Sequence, residues 1–440
     1  MDARQHFEGK KITVMGLGLL GRGLGDIRYL AQQGAELLVT DLKTKEQLST
    51  SIEALKGFSN ITFVVGEHRL EDFRDRDMVL KAAGVPMDSI YIDEARKNNV
   101  PVKMSSSLFA EIAQIPVIGI TGTRGKSTTT HMLHAILEHA GKDVLLGGNV
   151  RGVSTLALLP QVKEGSIALM ELDSWQLQGF GEAKMSPNVS IFTTFFPDHL
   201  NYYKDNLNVY LADKANIFLF QKPGDTLVLG SQCAELIQKK YAGLMQGWTS
   251  IVDTQDLPDS WTLAIPGEHN RYDAALAYRA AQSLGIEDSV IKEALTTFGG
   301  VPGRLQLVRT VDGVDYYNDT TATTPDATLV ALKALGEKYA GKVILIMGGA
   351  DKNLVMDELF AAIPENTKRV ELLSGSGTDR IRASLPDAEV FDTLVAALGN
   401  ARMHAEPGDA IVLSPAFASF GMFKNEFDRG DQFNTFVESL

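Results

Sequence analysis

Cysteine is almost missing from this chain. Cys233 stands alone among 440 residues, so no internal disulfide can form, and a single thiol fits a reducing compartment. Long hydrophobic runs are missing too. No stretch approaches the roughly 18 apolar residues of a membrane helix, and the opening MDARQHFEGKK carries no apolar signal segment. Positive charge is in deficit: 42 Lys and Arg face 55 Asp and Glu, for a net charge of −13. Without a basic field the chain is not expected to hold nucleic acid or an anionic membrane. Any anionic ligand must then be met by local cations. The expectation is a cytoplasmic protein.

What is there reads as a folded protein: 44% hydrophobic and 22% charged residues. The chain is too long for one ordinary core. Strand-then-helix patterns run throughout. KITVMGLGLLGRGLGDIRYLAQQGAELLVTDLK reads as strand, glycine turn, helix and strand, a βαβ unit. ITFVVGE and DMVLKAAG continue that series. PVIGITG opens a second, followed by SIALMEL, VSIFTTF and DTLVLG. A Gly/Pro cluster in TTFGGVPGRLQLV marks a further boundary, and KVILIMGGADKN, RVELLSG, AEVFDT and AIVLSPAFASFGMF follow it. The expected fold class is α/β in three domains: residues 1–103, Rossmann-like; residues 104–302, a P-loop-type domain with a mostly parallel sheet; residues 303–440, again Rossmann-like.

GITGTRGKSTTTHML resembles a phosphate loop of unusual length. The common P-loop spells G-x-x-x-x-G-K-[ST], whereas Gly122 and Gly125 enclose only Thr123 and Arg124. The chemistry is nonetheless complete. A strand at Val117–Ile120 feeds the loop, and a helix with Met132, Leu133, Ile136 and Leu137 on one stripe leaves it. Backbone N–H groups at a helix N-terminus favour phosphate. Lys126 can reach the β- and γ-phosphates, Ser127 can hold Mg²⁺, and Thr128 follows them. A glycine turn that merely caps a helix is the bland alternative, and it does not require Gly-Lys-Ser.

A strand running into TGTRGKST is similar to the Mur ligase family, whose loop is usually G-T-N-G-K-[ST], with Arg124 here in place of Asn. The resemblance extends through spaced motifs over nearly the whole chain and implies the roles that follow. In LMELDSWQLQG, Glu171 would bind the ATP-linked Mg²⁺ and Gln176 the UDP-substrate. Asp173 replaces a family serine and would either join the metal shell or add charge beside it. In FPDHLNYY, His199 would meet a second Mg²⁺ and the UDP-substrate. In YLADKANIF, Tyr210 and Lys214 share a helix face, and Lys214 would be carbamylated by CO₂ to become a metal ligand. Read from its own residues, Lys214 is an ordinary solvated lysine and His199 an ordinary structural histidine.

Further along, PGEHNRYDAALA places His269 and Asn270 just before a helix, with Asn270 implied as the adenine reader. Arg304 in GVPGR, where Gly303 stands for a usual His, and Asp319 in YYNDTTATTPDA, as the ribose contact, complete the implied ATP set. Thr323, with Lys352 of IMGGADKN and Ser419 and Phe420 of LSPAFASFGMF, is implied for D-glutamate. Thr321 stands where many members carry lysine, and Glu426 precedes Phe427 where an aromatic is usual. Ser414 and Arg429 lie in the same C-terminal stretch.

GLGLLG, with Gly16, Gly18 and Gly21 and with Asp41 at the end of the next strand, is the dinucleotide fingerprint when taken alone. It supports a rival reading, a nicotinamide-dependent oxidoreductase, which leaves the Gly-Lys-Ser loop unused. The resemblance instead gives this domain to a UDP-substrate, with Leu19, Leu20, Asp41, Gly84 and Asn149 as contacts. It implies ATP-dependent amide formation between UDP-N-acetylmuramoyl-L-alanine and D-glutamate in peptidoglycan precursor synthesis. Two Mg²⁺ ions and a carbamate on Lys214 would assist, and a monomer is expected. A sister ligase adding another amino acid, or a non-catalytic sensor of nucleotide, stays open.

Overall fold

The computed structural model describes residues 4–17, 22–150 and 152–440. The chain divides into two compact units, residues 1–257 with 273–292, and residues 258–272 with 293–440. The first unit contains two parallel sheets. One comprises β1 (Lys11–Met15), β2 (Glu36–Asp41), β3 (Ile61–Val65), β4 (Met78–Lys81) and β5 (Val102–Lys103), in the order β3-β2-β1-β4-β5. The order reverses between β1 and β4, which opens a crevice at the strands' carboxyl ends.

The other sheet comprises β6 (Val117–Thr121), β7 (Val144–Gly148), β8 (Ile167–Glu171), β9 (Val189–Phe192), β10 (Thr226–Gly230) and β11 (Trp248–Val252). Its order is β11-β10-β9-β6-β8-β7, again all parallel. β6 is buried at every residue, which is why its sequence is an apolar run rather than an alternation. The helix Lys126–His139 follows it and buries Met132, Leu133, Ile136 and Leu137 completely. Each such side chain contributes about 1.5–3 kcal/mol. That stripe anchors the helix whose N-terminus forms the site.

The second unit carries a mixed sheet: β12 (Gln306–Val311), β13 (Val314–Asn318), β14 (Val343–Gly348), β15 (Thr367–Leu373), β16 (Glu389–Phe391) and β17 (Ala410–Leu413), in the order β12-β13-β17-β14-β15-β16. Only β12 and β13 are antiparallel. The antiparallel pair is absent from the β-loop-α expectation. Asp312 and Gly313, at φ 52° and 78°, join the two strands by a two-residue turn with both φ positive. The helix expected to begin after His269 and Asn270 spans Glu268–Ser283, so both residues sit in its first turn. Among the described residues, no helix is long and apolar enough to cross a membrane.

Candidate active site

The loop after β6 is held by the residues that follow β9, the strand beside it. Thr123 N–H donates to the Thr194 carbonyl at 2.7 Å, and Arg124 N–H to Thr194 Oγ1 at 2.9 Å. Thr193 Oγ1 donates to the Arg124 carbonyl at 2.5 Å. Both glycines are required here. Gly122 has φ 143°, and a Cβ on it would lie 1.9 Å from Thr193 Oγ1. Gly125 has φ 84°, caps the helix, and would meet Asp273 Oδ1 at 2.3 Å. Sequence reading missed Thr193, Thr194 and Asp273. The paired threonines at the end of the β9 motif were the available signal, whereas Asp273 lies far along the chain. Arg124 is exposed, and Lys126, Ser127 and Thr128 are half-buried on the helix's first turn. The N–H groups of that turn have no partner within the helix.

Lys126 Nζ folds back onto the Gly122 and Thr123 carbonyls, at 3.0 and 3.1 Å. Lys214, on the helix Leu207–Ala215, is 1% exposed. Its Nζ donates to the Gly122 carbonyl at 2.8 Å and lies 5.0 Å from the centre of the Tyr210 ring. Burial, then the nearby Lys126 charge, holds its pKa well below the ordinary lysine value. Lys214 is therefore no solvated surface lysine.

Glu171, the last residue of β8, is buried and accepts from Asn149 Nδ2 at 3.2 Å, while Asn149 N–H donates to the Glu171 carbonyl at 2.7 Å. His199 has φ 52°, and its ring centre lies 4.8 Å from that of Trp175 and 6.0 Å from that of Tyr210. Burial pushes its pKa below the ordinary histidine value, against the opposing charge of Asp198 and with help from Lys214 and Lys126. Asp173 makes a capping contact. It caps the helix Ser174–Glu182, accepting from Gln176 N–H at 2.7 Å, while Gln176 Oε1 accepts from Asp173 N–H at 3.1 Å. Serine and aspartate are both good caps, which accounts for the replacement.

Among the described residues, no three His, Cys, Asp or Glu side chains cluster as metal ligands. Ser127, Glu171 and His199 supply a hydroxyl, a carboxylate and an imidazole. An ammonium on Lys214 would repel a cation, so that set fits a hard divalent ion only if Lys214 becomes anionic.

A cavity of about 220 Å³ lies at the carboxyl ends of β1 and β4, lined among others by Gly16, Leu17, Lys81, Gly84, Ser106 and Gln176. Gln176 Nε2 donates to Ser106 Oγ at 3.2 Å. Asp41 is buried beside the loop after β1, its Oδ2 accepting from Leu17 N–H at 2.9 Å and its Oδ1 from Lys43 N–H at 3.0 Å. Leu19 and Leu20, with Gly18 and Gly21, lie outside the described residues.

In the second unit, Asp319 accepts from Leu305 N–H at 2.9 Å and from Ser414 Oγ at 2.7 Å. Burial raises its pKa to about 7. Gly303, at φ 73°, has its carbonyl held by Thr321 through N–H at 3.0 Å and Oγ1 at 2.8 Å. That backbone conformation favours glycine over the family's histidine. Arg304 beside it is exposed. Asn270 Nδ2 donates to the Pro266 carbonyl at 2.6 Å. Lys352 Nζ donates to both the carbonyl and Oγ1 of Thr323, each at 3.0 Å. The adjoining Ala350 pairs with Ala418, which brings buried Ser419 into the same corner, while Phe420 is 68% exposed. Arg429 is fully buried, with Nη2 donating to the Thr320 carbonyl at 2.8 Å. Thr320 Oγ1 donates to the Glu426 carbonyl at 2.6 Å, so Glu426 opens its helix through backbone contacts.

Comparison with known proteins agrees along the chain. Residues 10–104 match the Mur ligase MurD-like N-terminal domain, residues 120–250 the Mur ligase middle domain, and residues 303–417 the Mur ligase glutamate ligase domain. The sequence is 37% identical to UDP-N-acetylmuramoylalanine–D-glutamate ligase of Roseiflexus sp. (strain RS-1), over 98% of this chain and 99% of that one. Among solved structures, UDP-N-acetylmuramate-alanine ligase from Thermotoga maritima shares the fold, with a TM-score of 0.60 at 19% identity over 98% of this chain and 99% of that one. The bifunctional folylpolyglutamate synthase/dihydrofolate synthase of Yersinia pestis, complexed with AMPPNP and Mn ion, superposes with a TM-score of 0.55 at 17% identity over 76% of this chain and 96% of that one.

Proposed function

Because the chain belongs to the Mur ligase family, we propose that it joins D-glutamate to UDP-N-acetylmuramoyl-L-alanine at the expense of ATP. The observation that carries the reading is the buried Lys214 placed against the Lys126 loop, where the Nζ atoms of both lysines donate to the Gly122 carbonyl. A structural lysine has no reason to be buried beside a second cation.

The alanyl carboxylate attacks the γ-phosphorus of ATP, giving an acyl phosphate and ADP. The amine of D-glutamate then attacks the acyl carbon, and the amide forms as phosphate and one proton leave. Negative charge meets negative charge in the first step, so catalysis is mainly neutralisation and positioning. Lys126 and the first-turn N–H groups hold the β- and γ-phosphates. Asn270, Arg304 and Asp319 take adenine and ribose. Gly84, Asn149, Gln176 and His199 face the UDP-substrate, with Asp41 bracing the loop after β1. Thr323, Lys352, Ser419 and Phe420 receive the amino acid, whose carboxylates a cation and short donors suit.

Ser127, Glu171, His199 and a carbamylated Lys214 would hold Mg²⁺, which supplies Lewis-acid stabilisation of phosphoryl charge. The depressed pKa of Lys214 supports the carbamate, since only a neutral amine attacks CO₂. The Yersinia pestis enzyme was solved with AMPPNP and Mn ion, which agrees with a nucleotide and a divalent metal. We place the protein in the cytoplasm, as a monomer; its one thiol is buried and kept protonated. The test is phosphate release with ATP, UDP-N-acetylmuramoyl-L-alanine and a panel of amino acids. Release with D-glutamate alone supports the reading. Release with L-alanine or a diamino acid instead would reassign the chain to a sister activity, and nicotinamide turnover without ATP would overturn the ligase reading.

A further inference from the structure

Lys81 is the last residue of β4, and at 2% exposed it is among the largest fully enclosed side chains in the protein. Nothing above gives it a role. Among the described residues its ammonium pairs with no carboxylate. Instead Nζ donates to three carbonyls of the loop that follows it, those of Ala82 at 3.2 Å, Ala83 at 3.3 Å and Val85 at 2.6 Å. Burial pushes its pKa down to about 8, against weaker support from Asp173, Asp213 and Glu182. A cation so enclosed is costly unless it organises something.

What it organises is a wall of the cavity at the β1/β4 crevice. Lys81, Ala82, Ala83 and Gly84 all line that cavity. The loop's remaining backbone groups complete the picture. Ala82 N–H donates to the Met15 carbonyl and Val85 N–H to the Ala82 carbonyl. The N–H groups of Ala83 and Gly84, the two residues between, find no acceptor among the described residues. A turn whose carbonyls are gathered onto one ammonium is left with its N–H groups to offer, the arrangement that receives oxygen acceptors. A Cβ on Gly84 would meet nothing within 4 Å, so open space adjoins this point.

We propose that Lys81 is a substrate-positioning residue, a cationic staple that holds the Ala82–Val85 turn so that the Ala83 and Gly84 N–H groups present to oxygen acceptors of the UDP moiety. The inference rests on the ligase reading for the identity of that ligand. It acts through the turn, so removing the staple should weaken one substrate and spare the others.

The test uses the full chain carrying Lys81→Met or Lys81→Arg. Calorimetry gives Kd for UDP-N-acetylmuramoyl-L-alanine, steady-state kinetics give KM for each substrate, and melting gives Tm. Lys81→Met should raise Kd and KM for the UDP-substrate about tenfold, leave KM for ATP and D-glutamate within about twofold, and shift Tm only slightly, since removing a buried charge offsets the loss of three hydrogen bonds. Lys81→Arg should recover part of the affinity. An unchanged Kd, or a uniform rise of all three KM values with a fall in Tm, would overturn the staple. A wild-type chain that binds the UDP-substrate without making amide would sink the ligase reading alone, with the Kd comparison still deciding Lys81. A wild-type chain that does not bind it would sink both.

Discussion

Lys126 and Lys214 donate to the same oxygen, the carbonyl of Gly122, at 3.0 and 2.8 Å. Eighty-eight residues apart in sequence, they meet because β6 delivers the loop beside the helix that carries Lys214. One is half-buried at the helix N-terminus proposed to hold phosphate, and the other is buried. Their proximity disfavours charge on the buried one.

For Lys126 the consequence is a loss in chemistry. Lys126→Ala should reduce kcat by at least about 10²-fold, the scale of removing one charge-stabilising donor. Folding should be intact, because the side chain is half-buried and its hydrogen bonds to the Gly122 and Thr123 carbonyls lie within one short loop. Phosphate release at saturating substrates reads this directly, and a variant within about threefold of wild type would remove Lys126 from the phosphate site.

Lys214 should behave as a carbamate rather than as a cation. An unperturbed lysine becomes neutral only above about pH 10.4, whereas a lysine with a lowered pKa is neutral at lower pH. Labelling by ¹³CO₂, followed by NMR, should therefore appear at neutral pH, increase as pH rises and vanish on acidification. Lys214→Ala should be inactive and recover activity with a short carboxylic acid. Wild-type-like activity without rescue would contradict the assignment.

Asp173 separates a cap from a metal ligand. Asp173→Ser keeps a good cap and should retain activity within about twofold, whereas Asp173→Ala should cost about 1 kcal/mol of stability. Urea unfolding and initial rates measure the two effects. A severe loss of activity in Asp173→Ser at unchanged stability would place the carboxylate in the metal shell instead.

Asp319 makes a pH prediction whose sign follows from burial. Its folded pKa of about 7 lies above the unfolded value near 3.9. Between these values the folded state holds the extra proton, so this group's contribution is fully present below about pH 4 and is lost as pH climbs toward 7. The stability of wild type relative to Asp319→Asn should fall over that interval, as read by denaturant titration at several pH values. A difference independent of pH would show that Asp319 is an ordinary carboxylate.

How much of this was visible in the sequence depended on whether the signal was local. The strand feeding Gly122, the stripe of Met132, Leu133, Ile136 and Leu137, and the placement of Glu171 at a strand end are short-range patterns, and all appear in the fold. The β12/β13 hairpin has a local signal too, Asp312-Gly313 between two β-rich runs, but the β-loop-α rhythm on either side masks it. The clamp on the loop was not legible. Thr193, Thr194 and Asp273 reach Gly122 and Gly125 only through strand order and helix packing. Lys214 is the sharpest case: on its helix alone it reads as solvated, and only the sheet beneath it makes it a buried amine. Lys81 likewise sits in a strand of ordinary composition, and its three carbonyl partners become partners only when the turn closes.

The most direct test of carboxylate activation is to follow oxygen. With ¹⁸O in the alanyl carboxylate of the UDP-substrate, and with ATP and D-glutamate present, attack on the γ-phosphorus should carry one labelled oxygen into the released phosphate, detectable by mass spectrometry or ³¹P NMR. Amide formed with all of the released phosphate unlabelled would mean that the carboxylate is never phosphorylated, and the role given to Lys126 and its loop would fall.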